Sequence, residues 1–176
     1  MYCGTNKTAL TSQEQIADAL LRLMSKKPFV EISVSELCKE AGISRQTFYT
    51  LFSYRENVVL FTLSERHCCK APAFHKEPSY LRQFSENYAD YIYENRDFLA
   101  LLVQNNITYL FYNSVYDSLT NCDCFIYAAS EKEKVYRANF IAGALTGIVK
   151  SFVGYPGTSK QSLTEIMYHL FNNSIF

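Results

Sequence analysis

AGISRQTFYTLFSYRENV, residues 41–58, is the stretch on which the reading of this 176-residue chain turns. Gly42 interrupts a short polar-apolar run at the place where a chain reversal needs a residue free to take positive φ. Ser44 then occupies an N-cap position, its hydroxyl able to accept from amides of the following turn. Phe48, Leu51 and Phe52 recur at helical spacing and predict one buried face. Arg45, Gln46, Thr47, Tyr49 and Thr50 are left outside; every one can donate a hydrogen bond and none is acidic. Two short helices joined by a glycine turn, the second presenting such a face, predict a helix-turn-helix whose outer surface suits phosphates and base edges.

Working outward, nearly every segment keeps a period near 3.6, and no strand-like alternation persists. TSQE at 11–14 has capping-box form ahead of an amphipathic run with Ile16, Leu20, Leu23 and Met24 inward, and Lys26, Lys27 and Pro28 end it. SVSE at 33–36 is a second capping box. Ser53 with Glu56 offers a third, opening a helix from about residue 54 towards 68. APAFHKEP at 71–78 carries two prolines and reads as a linker or long turn. Beyond it Leu81, Phe84, Tyr88 and Tyr91 share one helical face. A short apolar helix follows Asp97, and a longer one spans about 108–119. NCDC at 121–124 reads as a turn. SEKE at 130–133 caps a helix to about 153, GYPG at 154–157 breaks the chain, and TSKQ at 158–161 caps a last helix. The expectation is an all-α chain of about nine helices, with a helix-turn-helix domain over 1–53 and a second helical domain over 54–176.

Bulk composition narrows the options. Seventeen basic and seventeen acidic side chains cancel, so no global field draws the chain to nucleic acid or membrane, and any DNA affinity must be local. The six cysteines, Cys3, Cys38, Cys68, Cys69, Cys122 and Cys124, lack the paired clusters of a zinc site, and no metal or cofactor is expected. No secretory leader pattern opens the chain and no apolar run spans a bilayer, so the plain expectation is a cytoplasmic protein with reduced thiols and no membrane partner. His67, His75 and His169 stand in no nucleophile motif, and no catalytic residue is assigned.

The order Gly42, Ser44, Thr47, Phe48, Tyr49, Phe52, Arg55, Glu56 resembles the TetR/AcrR family of bacterial transcription regulators, over about residues 15–65. Tyr54 departs from the small polar residue usual there. FIAGALTGIVKSFVGYPGTSKQSLTEIMYHLF, residues 140–171, is more loosely similar to that family's last two helices, which pair with those of a second subunit. Phe152 stands where many members have Trp. The spacing of the middle segment resembles a branch containing dihydroxyacetone-kinase regulators, without matching any regulator closely enough to import a ligand.

The resemblance implies a homodimer on a pseudo-palindromic double-stranded DNA operator, acting as a repressor released by a small effector. Gln46 is the prime reader of base edges, since its amide pairs with adenine. Arg45 reads guanine or holds phosphate. Thr47 and Thr50 meet a thymine methyl or a backbone oxygen, and Tyr49 is similar to the family's phosphate-contacting tyrosine. Ser33, Ser35 and Arg55 anchor the flanks.

In the last two helices, Ala138, Ile141, Ala142, Leu145, Ile148, Val149 and Phe152 form one apolar face, and Leu163, Ile166, Met167 and Leu170 another. These faces make either an intrachain hairpin or, with the family pattern added, a four-helix dimer interface. Gly143 and Gly147 lie on a neighbouring stripe. The resemblance also implies an effector pocket, for which His67, Tyr88, Tyr91, Phe98, Tyr109 and Tyr112 are the lining residues. The absence of charged clusters there points to a neutral or apolar ligand. An alternative is a DNA-bound co-activator that recruits a protein partner.

Overall fold

The structure, a computed structural model, describes residues 6–66, 78–121 and 130–174. Among these residues it is wholly helical: α1 (Lys7–Met24), a single 3-10 turn (Phe29–Glu31), α2 (Val34–Ala41), α3 (Arg45–Leu51), α4 (Arg55–Arg66), α5 (Pro78–Glu94), α6 (Arg96–Gln104), α7 (Thr108–Asn121), α8 (Glu131–Gly154) and α9 (Lys160–Ser174). The all-α expectation holds. The linker and turn expected near 71–77 and 122–124, and His67, lie outside the described residues.

Helix starts follow from side-chain caps, though not always those expected. The TSQE box lies inside α1, because Asn6 caps that helix a turn earlier, its Oδ1 accepting from the amides of Thr8 (3.0 Å) and Ala9 (3.3 Å). Ser33 and Ser130 cap as expected, accepting from the Glu36 and Glu133 amides at 3.1 Å each. Each box glutamate also forms an ion pair. Glu36 turns to Lys27, and Glu133 to Arg137 one turn along. At α9 the cap is Ser159, one residue beyond the expected threonine. Ser53 caps nothing in the expected manner. It takes φ +64°, whereas a capping residue needs extended backbone. Asn57 holds that turn instead, its Nδ2 donating to the Phe52 carbonyl.

The N-terminal three helices close around Ile16, Leu20, Leu37, Phe48 and Phe52, all essentially without solvent exposure. Helix α4 packs on both α1 and α7, so it joins this cluster to the remaining helices. There α5 lies along α9, and α7 along α8, with α6 wedged against α8 and α1. A continuous hydrophobic core runs from Ile16 to Phe171. The two C-terminal helices thus lean mainly on different partners and leave a furrow between them.

Candidate nucleic-acid interface

Gly42 adopts φ +68° and ends α2, its amide and that of Ile43 reaching back to the carbonyls of Lys39 and Cys38. A Cβ added there would meet nothing within 4 Å, so backbone conformation, not crowding, calls for glycine. Ser44 opens α3 in extended conformation; its Oγ accepts from the Thr47 amide (3.1 Å) and lies 2.9 Å from the Thr47 hydroxyl. Phe48, Leu51 and Phe52 are buried, and Phe48 meets the Tyr49 ring edge-on at 5.5 Å. Arg45, Gln46, Tyr49 and Thr50 are exposed, with Tyr49 55% accessible, and Thr47 is half-buried. Seven residues of helix therefore carry a continuous outward polar surface held rigidly from behind.

The flanks differ from one another. Ser33 and Ser35 are both exposed at the start of α2. Arg55 is occupied inside the chain. Its Nη1 donates to the carbonyls of Phe29 (3.0 Å) and Ile32, and its guanidinium lies 4.9 Å from the centre of the Phe29 ring. Arg55, expected to anchor phosphate, here clamps α4 to the turn ahead of α2. The Phe29 amide is held in the same place, donating to Asn105 Oδ1 at the end of α6 (2.5 Å). The sequence pattern held no sign of this, because the partners are 26 and 76 residues apart. Cys38 is buried beneath the surface, and burial pushes its thiol up from the ordinary value, against the opposing influence of Arg45.

In the C-terminal helices the residues expected at a dimer interface divide into two sets. Ala138, Ile141, Ala142, Leu145, Val149 and Met167 are enclosed within the single chain. The reason is that α7 lies along this face of α8 and α5 along α9. Ile148, Phe152 and Leu163 are nearly as buried but reach the floor of the furrow between α8 and α9. Of the expected interface, Ile166 and Leu170 stay open, 47% and 49% accessible. With Phe140, Gly147, Ser151 and Tyr155 they line an apolar furrow of about 650 Å³.

The expected effector lining also separates. Tyr88, Tyr91 and Phe98 are buried core side chains, Tyr88 against Phe84 (4.6 Å between ring centres) and Tyr91 stacked on Phe111 (6.4 Å). Tyr109 is 50% accessible and faces away, because Thr108, Phe111, Val115 and Leu119 form the buried stripe of α7. Tyr112 lies on an intermediate stripe, stacked with Tyr116 and donating its hydroxyl hydrogen to Asn139. Among the described residues no group of His, Cys, Asp and Glu is arranged to hold a metal ion, and no helix is long and apolar enough to cross a membrane.

An all-helical fold that props a short, serine-capped helix outward behind a glycine turn defines the helix-turn-helix class. Residues 16–60 match the pattern of the bacterial regulatory proteins of the tetR family. Over these residues the chain is similar to that family. It is 56% identical over 39 residues to the HTH-type transcriptional regulator EthR of Mycolicibacterium smegmatis, a match covering 22% of this chain and 18% of that one. Against EthR of Mycobacterium tuberculosis it is 41% identical over 73 residues, 42% of this chain and 31% of that protein. The chain therefore spans less than a third of the length of these relatives. Across nearly its whole length it takes the fold of NalD, the secondary repressor of the MexAB-OprM multidrug efflux pump in Pseudomonas aeruginosa. There the TM-score is 0.58 at 14% identity, covering 93% of this chain and 96% of that one. The dihydroxyacetone kinase operon activator DhaS has the same fold, with TM-score 0.56, 22% identity and coverage of 94% and 97%.

Proposed function

We propose that the chain is a sequence-specific DNA-binding transcriptional regulator that works as a homodimer. In this reading residues 1–53 meet the DNA and residues 54–176 bind the effector and the second subunit. The observation that carries the reading is the outward surface of α3, where Arg45, Gln46, Tyr49 and Thr50 are exposed on a helix fixed by Phe48 and Leu51. Arg45 with Tyr49, and Gln46 with Thr50, are four residues apart, so each pair forms one stripe along the groove. Gln46 reads base edges, Tyr49 grips phosphate, and Ser33 and Ser35 hold the backbone on the α2 side. Arg55 serves this surface indirectly, by fixing the turn ahead of Ser33.

One such head makes few contacts, and two related by a two-fold axis read half-sites roughly 34 Å apart or a multiple of that. The open furrow between α8 and α9 supports the dimer. Ile166, Leu170 and Phe140 supply exposed apolar surface, and Gly143 and Gly147 are exposed with nothing within 4 Å of where a Cβ would stand. A second copy can approach closely there.

Regulation follows by linkage. A small neutral or apolar ligand that binds better when the heads are misaligned must lower operator affinity, and a coupling of a few kcal/mol gives a switch of about a hundredfold. Helix α4 is the lever in this account, since it starts at the Arg55 clamp and packs on both α1 and α7. Repression is the favoured sign; NalD is a repressor and DhaS an activator, so the fold serves both. In the test, duplexes are selected from a random pool by the chain, and Tyr49→Phe and Gln46→Ala are compared on them. Tyr49→Phe should weaken binding broadly, and Gln46→Ala should alter preference at particular base pairs. Parent-like binding by both across all sites sinks the assignment.

A further inference from the structure

We infer that the first turns of α1 form a second DNA-contacting wall, one that receives the sugar–phosphate strand running beside α3. This rests on the reading of α3 as the recognition helix. The two helices enclose an open groove of about 400 Å³. Its α1 side is made by Asn6, Thr8 and Ser12, and its α3 side by Gln46, Thr47 and Thr50. Thr8 and Ser12 are four apart and share a stripe.

Two features fit this groove to a phosphate strand. The first is position. A helix lying in a major groove about 12 Å wide has a strand on each side, so a wall beside its base-reading stripe lies towards one of them. Gln46 and Thr50, the stripe assigned to base reading, form one wall, so the strand beside those bases passes the α1 wall.

The second is charge. Among the described residues no acidic side chain lines this groove. The acids of α1 are segregated onto another face, where Glu14 and Asp18 line a separate groove against α4 together with Glu65. The α3-facing side offers hydroxyls and carboxamides, and Lys7 is exposed on the same first turn, with no acidic partner among the described residues. The α1 amides of Thr8 and Ala9 are already taken by Asn6, so it is the side chains, not the end of the helix, that offer contacts.

The test uses the full chain and a duplex of about 40 base pairs selected by it from a random pool, with affinity followed from low salt to about 0.5 M. Thr8→Glu puts a carboxylate on the wall. Acids in a first helical turn favour the helix, so its melting temperature should hold or rise while DNA affinity falls about tenfold or more at low salt. That deficit should shrink as salt screens it. Glu14→Gln, on the α4-facing stripe, should change affinity less than about twofold. Parent-like affinity for Thr8→Glu at every salt concentration overturns the inference, as does a Glu14→Gln effect of equal size. A parent chain that binds no duplex overturns the recognition-helix reading as well, and is distinguished by that fact.

Discussion

Helices α3 and α8 both carry apolar side chains at helical spacing, but they use them differently. In α3 one stripe is buried by the chain itself and the rest is polar, exposed but for the half-buried Thr47. In α8 the stripe through Ala138, Ile141, Leu145 and Val149 is buried against α7. The stripe beside it, through Phe140 and Gly147, is small or apolar and still open. Periodicity separates inside from outside when a helix has one apolar face. When it has two, periodicity does not say which neighbour covers which.

The largest effects should come from the enclosed stripes. Phe48→Ala in α3 should cost about 3–5 kcal/mol and Leu145→Ala in α8 about 2–5 kcal/mol, read by denaturant unfolding, since both side chains are fully buried. If Leu145→Ala were nearly neutral to folding but split a dimer, the two stripes of α8 would have to exchange roles.

Next comes the open stripe. Ile166→Glu combined with Leu170→Glu should leave the subunit folded, because both positions are about half accessible. Sedimentation should then show a monomer, with operator affinity down by about a hundredfold, because two heads are no longer held together. A parent that already sediments as a monomer at micromolar concentration would refute the dimer.

A smaller effect tests the turn that aims α3. Gly42→Ala puts a Cβ on φ +68° and should cost about 1–2 kcal/mol by melting, with no steric contribution since the site is open. The smallest expected effect is one of pH. The hydrogen bond from Lys27 holds the Glu36 carboxyl below its ordinary value of 4.5. A carboxyl lowered on folding stabilises above that ordinary value, and its contribution disappears as pH falls through the lowered one. Lys27→Met should remove this part of the acid dependence of melting.

The same contrast explains what could be read in the chain before its structure. Gly42, Ser44 and the Phe48–Phe52 pattern were legible because caps, turns and one-sided burial are local properties. So were the Ser33 and Ser130 caps and most helix bounds. Asn6 went unread because TSQE offered an equally good start four residues into the observed helix. The Arg55 clamp and the Asn105 bond to Phe29 join residues 26 and 76 apart, and nothing local encodes them. Tyr88, Tyr91 and Phe98 have the composition of a pocket lining and are core side chains here, while Tyr109 lies one position off the buried stripe and faces solvent. Aromatic residues at helical spacing mark burial; what lies behind them depends on the helices that cover it.

The most direct test of the whole account is hydroxyl-radical footprinting of the full chain on a duplex it selects from a random pool. Two protected half-sites related by a two-fold axis, roughly 34 Å apart or a multiple of that, are predicted, with protection lost in the Ile166→Glu, Leu170→Glu chain. A single asymmetric footprint, or full protection by that double variant, would contradict an account in which exposed α3 residues read DNA only when the α8–α9 face joins two of them.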